Sequence, residues 1–213
     1  DEGLAAVSMR LVAARLGTAA MSLYRHVSNK TDLVAAMVDT VLAEHHAPTP
    51  DPAAWRAVLE HEARREWALY RRHPWALTAL ATTRPPLGLA VLATVDRFLS
   101  ALAGHGVDHR TGLSVYLLVS GYVQGTAMLA VAEHEAARDT GVGRGPWWHD
   151  RLDRLAGTGV VASGRYPWLA ELAADPKAAA ADLDAWFDFG LHRVLDGVAV
   201  LLEERSGAPE RRG

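Results

Sequence analysis

Residues 8–30, SMRLVAARLGTAAMSLYRHVSNK, carry Arg10, Arg15, Arg25 and Lys30 and not one acid. Ser22, Tyr24, Arg25, His26 and Lys30 are the residue types that bond phosphate oxygens, and an arginine such as Arg10 can meet a guanine edge. A second group is acidic. Glu62 and Glu66 stand four residues apart in a stretch whose apolar arc, at about 100° per residue, is Trp55, Val58, Leu59, Leu69 and Tyr70. Both carboxylates fall inside that arc, where they are costly unless hydrated, paired or protonated. That face is expected to border a polar cavity, with Asp96 at the edge of a second apolar arc beside Leu89 and Leu92. Two readings stay open: structural ion pairs with Arg84 or another arginine, or a pocket that favours a cationic or hydrogen-bond-donating ligand.

Other chemistry is poorly provided for. The ten histidines invite a metal reading, but His45 and His46 are adjacent and point different ways on a helix. His61-Glu62 lacks a second histidine four residues on, so there is no zinc-protease pattern. No nucleophile elbow, phosphate loop or dinucleotide fingerprint occurs. An enzyme, a cofactor and a metal are therefore not expected. The 213 residues include no cysteine, which fits a reducing cytoplasm, the expected compartment. The longest apolar runs, 113–119 and 198–202, are too short to cross a bilayer, and no membrane partner is expected. Net charge is −3, so the chain is basic at its head and mildly acidic in its body.

The elements that must position these residues are all helical. Ser8 can cap a helix over 9–16, which Gly17 ends, and Thr18 can cap the next, 19–26. Ala13, Gly17 and Leu23 have helix-turn-helix spacing, which a core helical hairpin with a solvated basic face would share. A further helix begins near Asn29 and runs to about residue 46. Three prolines within 47–52 then mark a boundary, giving a head over 1–46 and a body over 47–213. In the body, helices are expected over 52–73 (capped by Asp51), 75–82, 87–102, 108–138, 167–174 and 176–205. Residues 140–167 read as loop with one helical turn near 150–155, and the last eight residues as a disordered tail. No strand alternation and no repeat is present, so the fold class is all-α.

The last helix repeats Leu183, Gly190 and Gly197 seven apart, with Phe187, Val194 and Leu201 beside them. The 108–138 helix carries Gly121 and Gly125 and almost no polar face. Small residues let helices approach closely, so these two helices are expected to form a four-helix seam with a second copy.

The string LVAARLGTAAMSLYRHVSNKTDLVAAM resembles the DNA-binding head of the TetR family, and His45-His46, TTRPP at 82–86 and DFGLHRVLDG at 188–197 resemble the tetracycline-repressor-like body. The resemblance covers nearly the whole chain. It implies a helix-turn-helix domain, whose first helix is absent from this sequence, and a helical ligand-binding and dimerisation domain. By family position Arg10 would read a base and Ala20 and Met21 would face the major groove. Ser22, Tyr24, Arg25, His26 and Lys30 would contact phosphates or the groove wall. The effector pocket would involve His46, Glu62, Glu66, Leu80, Thr83, Arg84, Asp96 and Tyr122. Leu80 stands where the family has the histidine that binds the drug's metal ion, and Tyr122 where it has a second histidine, so a metal–drug complex is not expected. Trp67, Trp75, Trp147, Trp148 and Trp168 suit an aromatic effector. The expected partners are double-stranded operator DNA, a small aromatic or cationic effector and a second copy of the chain. Repression is the family default; an activator without an effector, or a helical scaffold for protein partners, is the alternative.

Replacing Arg10 by alanine should relax base preference at one operator position, at about 1–3 kcal/mol per site. Lys30→Ala should weaken binding to all sequences alike and flatten its salt dependence. Gel shifts over a panel of mutated operators at two salt concentrations separate the two; indistinguishable profiles would refute this division of roles.

Overall fold

The computed structural model describes residues 3–44, 50–175 and 182–206, and every regular element among them is helical. The head holds α1 (Met9–Arg15), α2 (Ala20–Tyr24) and the start of α3 (Lys30–Ala43). Ser8 caps α1, its hydroxyl accepting from the Leu11 amide at 3.3 Å. Gly17 lies at φ 64°, the left-handed conformation that glycine alone adopts cheaply. Asn29 caps α3 reciprocally: its Oδ1 accepts from the Asp32 amide at 3.0 Å and its Nδ2 donates to Asp32 Oδ2 at 3.1 Å. Thr18, expected to cap the second helix, does not; Ala19 is the cap residue, with no side-chain bond, and α2 is correspondingly short.

Beyond the head come α4 (Trp55–Arg72), α5 (Pro74–Leu80), α6 (Leu89–Ala103) and α7 (His109–Thr140). Asp51 does not start α4 as expected. Its carboxylate accepts from Ala53 and its carbonyl from Ala54, closing a turn, and the helix begins only at Trp55. Then follow α8 (Arg144–Gly157), α9 (Pro167–Ala174) and α10 (Leu183–Ser206). The expected starts of the last helix near residue 176 and of the 47–52 linker, like the tail, lie outside the described residues.

The largest departure is α8, where loop was expected. Side-chain pairs four apart hold it: Arg154 meets Asp150 at 3.0 Å, His149 meets Asp153 at 3.4 Å, and the Arg151 guanidinium lies 5.3 Å from the Trp147 ring centre. Such pairs each stabilise a helix slightly, and Leu152 anchors its buried side. Glycine and tryptophan content hid this spacing.

The chain divides into two compact units, Asp1–Ala127 with Leu191–Gly213, and Met128–Gly190. In the first, Leu59, Tyr70, Val123, Leu191 and Leu195 are wholly buried. Leu191, Leu195, Val198 and Leu202 recur at four, three and four, the spacing of one helix face. Arg205 reaches Asp108 and Thr111, tying the last turn of α10 to the first of α7. In the second unit the Arg144 guanidinium sits 4.0 Å over the Trp186 ring, while Trp168 is exposed.

Among the described residues, α7 is the one helix long and apolar enough to cross a bilayer, with mean hydropathy 1.5 over its most apolar window, one third of it buried. Reading uninterrupted apolar runs missed this, because Ser120, Gly121 and Gln124 break the run without lowering the mean much.

Candidate nucleic-acid interface and buried acidic site

In the head, Met9 and Ala13 turn inward and are buried, packing α1 against α2. Most of the expected contact residues lie at the surface. Arg10, Met21, Tyr24, Arg25, His26 and Lys30 are exposed, Met21 to 76 %, and Ala20 and Ser22 are half-buried. Arg25 donates to the Ser22 hydroxyl at 3.3 Å, which fixes one phosphate-type group beside another. The surface can therefore offer guanidinium, imidazole, phenol and ammonium groups to a polyanion around an apolar tip.

Glu62 and Glu66 sit on the inner side of α4, but in different environments. Glu62 is buried and doubly paired: Arg65 donates to Oε2 at 2.8 Å and Arg97 of α6 to Oε1 at 2.9 Å. This is the ion-pair reading, with Arg65 and Arg97 in the role first given to Arg84. Arg84 is exposed, and no bond joins it, Thr83 or Asp96 to either carboxylate among the described residues. Two guanidiniums on one carboxylate offset the cost of burying the charge.

Glu66 meets no cation among the described residues. Its Oε1 accepts from the Tyr70 hydroxyl at 2.7 Å, the Ser120 hydroxyl at 2.8 Å and the Gln124 amide at 3.3 Å. No donor among the described residues reaches Oε2. Burial raises the Glu66 carboxyl above its ordinary value, the three hydrogen bonds lower it, and the neighbouring Glu62 charge raises it further. Burial also pushes the Tyr70 hydroxyl far up, with the Glu66 charge adding to the effect, so it serves only as a donor.

The other expected pocket residues scatter. Leu80 packs against the apolar cluster of Val34, Val38, Ala79 and Val91, and Tyr122 is half-buried. Thr83 and Asp96 are exposed, and His46 lies outside the described residues. Sequence reading missed Arg97, Ser120, Gln124 and the Tyr70 hydroxyl. Ser120 and Gln124, four apart on an otherwise apolar helix, were the available signal: two polar groups on one face need a polar partner.

The seam residues also divide. Phe187 is 1 % exposed, so it faces its own chain and is not at a free surface, contrary to expectation. Leu183, Gly190, Val194, Leu201 and Gly125 are half-buried, whereas Gly121 and Gly197 are exposed. A methyl group built at Gly121, Gly125 or Gly197 would meet nothing within 4 Å. Beside them Leu113, Leu117, Leu118 and Val200 are exposed.

Glu66 binds more protons folded than unfolded, so its contribution makes stability fall as pH rises from its ordinary 4.5 toward the raised folded value. Glu66→Gln keeps an acceptor oxygen and removes the charge. The variant and wild type should melt together at pH 4, and the variant should melt higher at pH 8, as calorimetry would record. A lower Tm than wild type at pH 8 would contradict the assignment.

Residues 1–37 match the family model for bacterial regulatory proteins of the tetR family, and residues 47–202 that for the tetracyclin repressor-like C-terminal domain. The HTH-type transcriptional repressor DrrR1 of Streptomyces coeruleorubidus is 40% identical over 211 residues, covering 97% of this chain and 74% of that protein. The class D tetracycline repressor protein of Escherichia coli is 32% identical over 142 residues, 64% of this chain and 62% of it. Among solved structures, Streptomyces coelicolor ActR in complex with actinorhodin is similar with a TM-score of 0.69 and 28% identity, over 97% of this chain and 91% of that one.

Proposed function

The chain belongs to the TetR family of bacterial regulatory proteins and is a ligand-responsive transcriptional repressor, and we propose that it reads a palindromic operator as a homodimer through the outer face of α1–α3. The observation that carries this reading is the polarity of the head. An acid-free stretch turns Met9 and Ala13 inward and Arg10, Met21, Tyr24, Arg25, His26 and Lys30 outward. A recognition helix of five residues is too short to specify a long site alone. Two copies on successive major grooves, about 34–36 Å apart, supply the rest. The protein works in the cytoplasm, where its operator is.

The dimer seam runs along α7 and the 191–206 part of α10. Gly121 and Gly197 stand among exposed apolar side chains, and nothing in their own protomer explains the missing Cβ. Close approach of a second backbone does. Gly121→Leu should yield monomers by analytical ultracentrifugation and lose operator binding with them; a dimeric variant that still binds would sink this seam.

Glu66 is the polar determinant of the effector site. Three donors occupy one oxygen, which leaves Oε2 for a cationic or hydrogen-bond-donating group of the effector. The similar ActR binds actinorhodin, which supports a small-molecule effector here, and the tryptophans of the body suit a planar aromatic one. Such a compound bearing an amine should quench the fluorescence of Trp67, which lies on the same helix, and release operator DNA in the same concentration range. Glu66→Gln should weaken both effects together. A screen of planar amines that leaves both fluorescence and operator binding unchanged would refute the acidic-site reading.

A further inference from the structure

Helix α3 leads away from the head, and its second half is held by polar contacts to three other places. Asp39, half-buried in mid-helix, accepts from the Leu89 amide at 3.0 Å and from the Ala90 amide at 3.1 Å. These are the first two amides of α6, which have no partner within their own helix. Gly88, the N-cap of α6, has no side chain to satisfy them. Asp39 therefore caps a helix some fifty residues away in sequence, and its negative charge suits the positive end of the α6 dipole.

Gly88 is required for space and not for conformation. Its φ of −86° and ψ of 169° are open to any residue. A Cβ there would overlap the Asp39 carboxylate, and the carboxylate could move aside only by giving up its two bonds. Nearer the end of α3, Arg65 of α4 donates to the Leu42 carbonyl at 3.2 Å. The same guanidinium meets Glu62, which Arg97 of α6 also holds. Glu44 and His73, at the α4–α5 junction, approach to 3.3 Å. The contacts form a closed circuit: α3 to α6 through Asp39, α6 to α4 through Arg97 and Glu62, and α4 back to α3 through Arg65.

We propose that Asp39 is a positioning residue that sets the angle of α3, and so the placement of the reading head, by capping α6 at Gly88. A shift of α6 against α4 reaches the head through this joint. The proposal rests on the operator-reading function of the head, and its test separates the two.

The natural sequence has no cysteine, so Ser28→Cys with Ser100→Cys places one spin label on the head and one on α6, both at exposed positions. Diluting the labelled full-length chain into unlabelled chain leaves only the distance within one chain. Electron–electron resonance should give a narrow distribution for the wild-type joint. Asp39→Ala and, separately, Gly88→Ala should broaden it about twofold, and Asp39→Asn, which keeps one acceptor oxygen, should fall between. Thr40→Ala on the same helix, which loses only a bond to the Ala36 carbonyl, should leave it unchanged. In the second arm, operator duplexes selected in vitro by the wild-type protein are lengthened or shortened by one base pair between half-sites. Wild type should lose about tenfold in affinity and Asp39→Ala no more than about threefold, because a loosened head tolerates wrong spacing. A variant that is only less stable would weaken all duplexes alike. Unchanged distance widths in folded Asp39→Ala and Gly88→Ala would overturn the joint. Failure of the wild type to select any duplex would instead overturn the operator reading, while the label distances still decide the joint.

Discussion

One buried carboxylate, Glu62, holds the first unit to a single arrangement. Its two oxygens face guanidiniums from two helices, and one of those, Arg65, also bonds a carbonyl of a third. Bidentate and shared ion pairs of this kind resist sliding, since any displacement leaves a charge buried without its partner. The apolar cluster of Val34, Val38, Ala79 and Val91 adds attraction between α3, α5 and α6, but apolar contact alone fixes no angle. Direction comes from the polar groups, and they converge on α3.

The two acids of α4 show how four residues of sequence separate two roles. Glu62 is charge-neutralised by its own chain and works as a fastening. Glu66 meets no cation among the described residues, where its hydrogen bonds come from Tyr70, Ser120 and Gln124. A cationic group arriving there would supply what the fold withholds. It could shift the repressor between states only to the extent that it interacts better with one of them. On the proposed effector site, the Tyr70 hydroxyl and the α7 donors would both support the free protein and take part in its response to a ligand.

Local rules made most of the head legible in the sequence. Ser8, Gly17 and Asn29 act within three residues of the bonds they make, so their roles follow from type and spacing. The wheel of α4 put Glu62 and Glu66 on the inner face for the same reason. What escaped depended on partners distant in sequence. Arg97 lies beside Asp96, the residue the pattern favoured, but a one-residue step turns a helical side chain by about 100°, and that step decides which of the two meets Glu62. The Asp39–Gly88 contact has no local signature at all. In α8 the error ran the other way: composition suggested loop, while pairs four apart, visible in principle, specified helix. Phe187 failed as a seam residue because a heptad repeat identifies a stripe without saying which of two adjoining faces is covered by the chain's own core.

The brevity of α2 has a thermodynamic consequence. It spans five residues, buries none of them fully and has no side-chain cap. Helices this short are not stable by themselves, so α2 keeps its shape through its neighbours and belongs to the least protected part of the fold. Docking into a groove would then complete the ordering of this segment as well as make contacts. Part of the heat capacity change on operator binding would be that of local folding, and the temperature dependence of repression would exceed what the contact area alone gives.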